Sequence, residues 1–326
     1  MSNDPYQKLK EEPGPVNYFL CGYKAILAHN EELRSQVAKP CGLKILIDSN
    51  VPPAAGLSSS SAFTVCSAIT TAHANGVLDK IPQKKMADLT IESERMAGTA
   101  CGGMDQTISI MGKMGTAMKI DFIPSINCTD VKVPDSVALV IANSCTPSPK
   151  LLTLGTRYNK RVCECRFALA AMTLKAGLSS SFEECPFKTF QQLQDKLDYT
   201  FDQMLDLAKA SFSSMGEYTT QKMSSEFGVQ DPWKIVLDVP HWNEVQSKNA
   251  SFELYKRAFH VFSEAKRVHL FAALCADDNV PEEEKVTQLG TWMSESQVSC
   301  AMYYDCSSKE LDELTKLARD SGALGS

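Results

Sequence analysis

The chain has 326 residues, enough to bury the core of one large domain or two medium ones. Its 44% hydrophobic and 22% charged content is that of an ordinary globular protein. A formal net charge of −6 with no Lys/Arg stripe argues against a nucleic-acid surface, and no uncharged apolar run is long enough to span a bilayer.

Met1–Pro15 is polar, carries no apolar core of signal-peptide type and ends in Pro13-Gly14-Pro15, so a disordered lead over 1–15 is expected. A cytoplasmic monomer without membrane or nucleic-acid partners follows as the expectation. The twelve cysteines lie scattered through apolar stretches such as Phe63-Thr64-Val65-Cys66, without a Cys-x-x-Cys pair, and read as reduced core residues. The five histidines share no ligand spacing.

In chain order, apolar spacing predicts a helix over Val16–Asn30, a short strand over Leu43–Ile47 and a helix over Ala62–Ala74. A further helix over Gln83–Met96 carries Glu92 and Glu94 in its last two turns. The bend Gly98–Gly103 delivers Met104-Asp105-Gln106 into another short helix. Gly115–Ile123 reads as a half-buried strand and Ser136–Asn143 as a fully buried one. Beyond Arg157 the pattern is helical, over Arg157–Lys175, Thr189–Ala208, Phe252–Cys275, Lys285–Met302 and Ser308–Asp320. The interval Ser211–Lys248 reads as a loop-rich insertion, and a composition boundary near Lys132–Asp135 separates a mixed N-terminal part from a mainly helical C-terminal part.

The stretch Val51-Pro52-Pro53-Ala54-Ala55-Gly56-Leu57-Ser58-Ser59-Ser60-Ser61-Ala62 is the chemical centre of the chain. Prolines stop the preceding element, Gly56 opens backbone conformations closed to other residues, and serines stand where a helix has unpaired N–H groups. Such a turn holds an anionic group with backbone amides, hydroxyls and the positive end of the helix dipole. An isolated serine run more often only caps a helix. It is not a Walker loop, since no Gly-Lys-[Ser/Thr] follows. Asp105, at a helix start behind glycines, is most simply a capping residue when taken alone, and most glutamates like Glu92 and Glu94 are solvated helix-face residues.

Together these residues resemble the phosphate-binding motif of the GHMP kinases, and within that family most of all the N-acetylgalactosamine kinases and their galactokinase relatives. The resemblance runs from Tyr18-Phe19-Leu20-Cys21-Gly22 through the serine loop, Gly102-Gly103-Met104-Asp105-Gln106 and Val140-Ile141-Ala142-Asn143-Ser144-Cys145 to Leu311-Asp312-Glu313-Leu314. It implies an α+β, two-lobed fold. An N-terminal domain of the type of ribosomal protein S5 domain 2 would occupy 16–134, with its ATP phosphate loop at 51–62. A ferredoxin-like, helical C-terminal domain would occupy 135–326.

It also implies ATP- and Mg²⁺-dependent phosphorylation of the anomeric hydroxyl of N-acetylgalactosamine or galactose, with Asp105 as catalytic base. Gly56, Leu57, Ser58, Ser59, Ser60 and Ser61 would hold the nucleotide phosphates, and Ser60 with Glu94 the metal, Glu92 being the alternative. Gly103, Asp105 and Tyr158 would contact the sugar. Gly102-Gly103, where many galactokinases have Gly-Ile, would leave room for an N-acetyl group.

Two motifs of the family are not matched. Nothing in Met1–Val16 resembles the Arg-Val-Asn-Leu-Ile-Gly-Glu-His segment that supplies a transition-state arginine, and the chain ends at Gly322-Ala323-Leu324-Gly325-Ser326, where a glycine-rich turn would follow. The expectation is a kinase truncated at both ends, with edges and faces of its sheets uncovered. Loss of such an arginine is worth about three to five orders of magnitude in rate. The competing readings are a catalytically impaired sugar and ATP sensor and a piece that does not fold alone.

Overall fold

A computed structural model describes residues 15–28, 33, 35, 37, 39–98, 100–147 and 153–326. Except for Pro15, the expected lead lies outside the described residues. The chain divides into two compact units, one formed by the described residues of Met1–Cys128 and Pro147–Thr153, the other by Thr129–Thr146 and Leu154–Ser326.

In the first unit, helix α1 (Pro15–Leu27) packs on α2 (Ser59–Ala74) and α3 (Gln83–Arg95), and α4 (Met104–Met111) leans on α2 and α3. Ala25 and Ile26 of α1 join Ala68 and Ala72 of α2 and Met86 and Leu89 of α3 in one core, all at most 3% exposed. Gly22 sets the approach of α1 to α2, because a Cβ there would stand 2.6 Å from Ser67 Cβ and 2.7 Å from Ala68 N. Strand β1 (Ala117–Asp121) pairs with β2 (Asn127–Val131) in a small antiparallel sheet, the division between units falling within β2.

The second unit is helical: α5 (Asn159–Lys175), α6 (Phe190–Leu197), α7 (Phe201–Ser211), α8 (Thr220–Phe227), α9 (Trp242–Lys248), α10 (Leu254–Ala276), α11 (Glu282–Ser299) and α12 (Lys309–Asp320), with π-turns at Leu154–Tyr158 and Cys300–Tyr304. α5 is its axis, buried along Cys163, Phe167, Ala168, Ala170, Ala171 and Met172. The Phe167 ring meets Trp233 and Phe252 edge-on at 5.4 Å each. Beside this core Glu164, wholly buried, accepts a 2.6 Å hydrogen bond from Arg257 Nε and one of 3.3 Å from Arg161.

The α+β class and the helix order agree with the sequence, while three expectations need correction. Leu43–Ile47 and Ser136–Asn143 join no ladder among the described residues, and most of their apolar side chains are exposed, Leu46 at 96% and Val140 at 89%. Both runs have strand composition; a strand also needs a neighbour for its N–H and C=O groups, and among the described residues none pairs with them. The single helix expected over Thr189–Ala208 is two. Asp198 turns left-handed (φ 53°), and Thr189/Gln192 and Thr200/Gln203 each build a reciprocal capping box that starts a new helix. The interval 211–248 is no loose insertion: α8, a 3₁₀ turn (Pro232–Val236) and α9 bury Tyr218, Met223, Val236 and Val245 completely.

Candidate active site

The serine loop is built on left-handed backbone at alternate positions, with φ of 56° at Ala54, 75° at Gly56 and 54° at Ser58. Two of these three are not glycine, a strain of roughly 1–2 kcal/mol each that the surroundings must offset. Successive amides in such a turn point to one side and make an anion-binding concavity. Gly56 and Leu57 are exposed at its outer edge. Ser58 is the residue before α2, yet its hydroxyl caps none of the helix amides. That leaves the first turn of a 16-residue helix facing the concavity with its positive end. Ser59 and Ser60 follow, half-buried, and Ser61 is 2% exposed.

Glu94 enters from the last turn of α3 and is only 3% exposed. Its Oε1 accepts from Ser61 Oγ at 3.2 Å and its Oε2 from Gln106 Nε2 at 2.6 Å, and the Ser60 hydroxyl also donates to it. Burial raises the carboxyl above its ordinary range; the Ser60, Ser61 and Gln106 donors oppose that shift, and the negative charge of Asp105 adds to it. Register thus separates the two glutamates, since Glu92 on the same helix is exposed. From α1, burial and then the Glu94 charge push the Tyr18 phenol and the Cys21 thiol each up to about 12.

Asp105 is the second residue of α4, half-buried, and its carboxylate makes no hydrogen bond or ion pair among the described residues. It is not the cap of its helix; Gly103 is, at φ 105°. Only glycine fits there, because a Cβ would meet Ile91 Cδ1 at 2.5 Å on a backbone that L side chains rarely adopt. Gly102 faces nothing within 4 Å, so open space beside the bend lies at Gly102, while Ile91 fills it at Gly103.

The first unit therefore brings Ser60, Ser61, Glu94, Asp105 and Gln106 into one polar group. Tyr158 belongs to the second unit, as the last residue of the π-turn Leu154–Tyr158, half-buried at the start of α5. Sequence reasoning missed Gln106 as a working residue. Its signal was weak, an amide next to the aspartate on an apolar helix whose neighbours Thr107 and Gln106 turn out to be the buried ones.

The group suits a hard divalent cation. Ser60 and Glu94 offer oxygen ligands, a cation would offset the desolvated Glu94 charge, and the buried Gln106 Oε1 has no hydrogen-bond partner among the described residues. Among the described residues no three His, Cys, Asp or Glu side chains are grouped to hold a metal.

Residues 17–113 match the GHMP kinases N terminal domain. The chain is 34% identical over 324 residues to a galactokinase of Dictyostelium discoideum, covering 95% of this chain and 62% of that protein. To a galactokinase of Schizosaccharomyces pombe it is 30% identical over 343 residues, covering 95% and 65%. The crystal structure of Lactococcus lactis galactokinase complexed with galactose superposes with a TM-score of 0.56 at 19% identity, covering 97% of this chain and 65% of that one. The chain thus spans less than two thirds of the length of these relatives. No described helix is long and apolar enough to cross a membrane. Residues 17–113 are a GHMP kinase N-terminal domain, in a chain that has galactokinase homologues and the galactokinase-type GHMP fold.

Proposed function

We propose that this chain is the greater part of an ATP-dependent sugar kinase that phosphorylates the anomeric hydroxyl of galactose or of N-acetylgalactosamine. The observation that carries the proposal is the placement of an unpartnered carboxylate, Asp105, beside Glu94, whose own carboxylate is bonded to Ser61 on the first turn of the phosphate-loop helix. A base and a phosphate cradle within one polar group is what phosphoryl transfer to an alcohol requires.

In this reading the amides of Gly56 and Leu57 and the hydroxyls of Ser58, Ser59, Ser60 and Ser61 bind the β- and γ-phosphates of ATP. Asp105 takes the proton of the sugar hydroxyl as that oxygen forms a bond to the γ-phosphorus and the bond to the bridging oxygen breaks, releasing ADP. Ser60 and Glu94 would hold Mg²⁺, which neutralises phosphate charge when bound. Gln106 keeps Glu94 ionised and aimed, and Gly103 lets the backbone approach the sugar. Tyr158 is assigned a hydrogen bond to the sugar on resemblance alone. The open side of Gly102 is the space an N-acetyl group would use.

The product decides the matter. The chain incubated with Mg-ATP and each sugar, followed by phosphorus NMR, is expected to yield a sugar 1-phosphate resonance that needs both the sugar and the enzyme. ATP hydrolysis to inorganic phosphate regardless of sugar would overturn the proposal, and product from galactose but not from N-acetylgalactosamine would remove the role given to Gly102.

A further inference from the structure

Far along the chain, in the second unit, two cysteines are held together by an unusual helix end. α11 runs into the π-turn Cys300–Tyr304, which closes on a left-handed Asp305 (φ 55°, ψ 48°). The Cys306 amide donates to the Cys300 carbonyl oxygen at 3.0 Å, and Cys306 Sγ lies 3.6 Å from the same oxygen. Both side chains thus sit at one end of the turn, close enough that each thiol shifts the titration of the other.

The segment between them is clamped from both sides. Arg161 donates to the carbonyl oxygens of Tyr304 at 2.8 Å and Asp305 at 3.2 Å and pairs with the Asp305 carboxylate, while Arg257 donates to the Tyr303 carbonyl oxygen. The His260 ring stacks on Tyr304 with centroids 4.5 Å apart. Cys306 is exposed and Cys300 half-exposed, beside a cleft of about 520 Å³ whose lining includes Ala301, Asp305 and Ser307.

We propose that Cys300 and Cys306 are a peroxide-reactive dithiol that closes to an intramolecular disulfide. The proposal stands apart from the sugar-kinase reading and uses none of its residues.

The thiol environments support a division of labour. Cys300 is lowered to about 7, first by the hydrogen bond from Cys306 and further by the Ser296 hydroxyl and the Arg267 charge, against burial and the Glu264 carboxylate. Cys306 is shifted the other way, first by that same bond and then by burial, with Arg161 opposing and Asp305 reinforcing the shift. With the Ser296 hydroxyl and the Arg267 charge acting on it, Cys300 is given the role of nucleophile, and the exposed Cys306 that of resolving thiol.

The Cys300 thiolate attacks one oxygen of hydrogen peroxide. The O–O bond breaks, the other oxygen leaves as hydroxide and is protonated to water, and Cys300 becomes a sulfenic acid. The Cys306 sulfur then attacks the Cys300 sulfur. An S–S bond forms, the S–O bond breaks, and the second oxygen departs as water with the proton of the Cys306 thiol. Two thiols lose two electrons in all, and peroxide is reduced to two waters. Cys163, by contrast, is fully buried and pushed up to about 12 by that burial, and is expected to stay inert.

Both cysteines, and no others, lie on the tryptic peptide 286–309. The reduced full chain is exposed to substoichiometric hydrogen peroxide at neutral pH, alkylated and mapped by mass spectrometry. Peptide 286–309 is expected to lose about 2 Da, two hydrogens, at least about tenfold faster than the exposed Cys66 or Cys145 is oxidised. Cys306→Ser should stop at a dimedone-reactive sulfenic acid on Cys300, and Cys300→Ser should abolish both products. Equal oxidation of Cys66 or Cys145, a sulfenic acid that appears first on Cys306, or a disulfide from Cys300 to another cysteine would each overturn the proposal. The wild-type comparison decides even if a variant folds poorly.

Discussion

Gln106 Nε2 donates to Glu94 Oε2 at 2.6 Å, tying the first turn of α4 to the last turn of α3 through a carboxylate that is almost wholly out of water. A buried carboxylate stays charged only while donors replace its lost hydration. Gln106→Leu removes one of them and leaves the Ser60 and Ser61 hydroxyls. The variant is expected to lose about 1–3 kcal/mol of unfolding free energy in a urea titration. No change would mean that Glu94 does not depend on this bond.

Glu94 makes a second, pH-dependent prediction. Its folded-state affinity for protons is raised above the ordinary value of 4.5, chiefly by burial, so the folded chain binds the proton more tightly than the unfolded one. The associated stability is fully present below the unfolded value and is lost as pH rises through the folded value. Glu94→Gln lacks this loss. Its melting temperature should therefore gain on wild type as pH climbs from about 4 to 8, while Mg²⁺-dependent nucleotide binding weakens. A wild type that gains on the variant over that range would contradict the assignment.

In the second unit, Phe167→Ala should cost about 3–5 kcal/mol, because it opens a cavity between Trp233 and Phe252 at the centre of α5. Calorimetry would show the effect as a lower melting temperature. A shift no larger than that of a surface substitution would mean that the aromatic cluster collapses around the void.

The run Val137-Ala138-Leu139-Val140-Ile141 is uncharged, rich in strand-forming residues and exposed from Ala138 onward, with Ser136 fixed to Glu282 by a 2.9 Å bond from its amide. Exposed segments of this kind pair with one another. Val140→Lys should reduce concentration-dependent light scattering of the purified chain without lowering its melting temperature. Unchanged scattering would place any self-association elsewhere.

Helices were the legible part of this chain because each satisfies its own backbone within a few residues. α3 and α12 fall within one residue of the spans read from apolar spacing. Strands were legible less evenly: Gly115–Ile123 holds β1, whereas Leu43–Ile47 and Ser136–Asn143 carry the right residues yet join no ladder among the described residues, because only the placement of a neighbour decides pairing. The break between α6 and α7 was written in Thr189/Gln192 and Thr200/Gln203, but a helical period that continues across it concealed the two caps. Within the candidate site, motif residues Ser60, Glu94 and Asp105 were visible as letters. The choice of Glu94 over Glu92 required knowing which face of α3 is buried, and Gln106 required knowing what sits opposite it.

The central claim is that Asp105 serves as the base beside a phosphate cradle that works without it. The most direct test measures sugar-dependent ADP release from Mg-ATP for the chain and for Asp105→Asn, alongside the affinity of each for Mg-ATP. ADP release is expected to require the sugar and to fall by about two to four orders of magnitude in the variant, with nucleotide affinity nearly unchanged. Equal ADP release by the two proteins would contradict that claim.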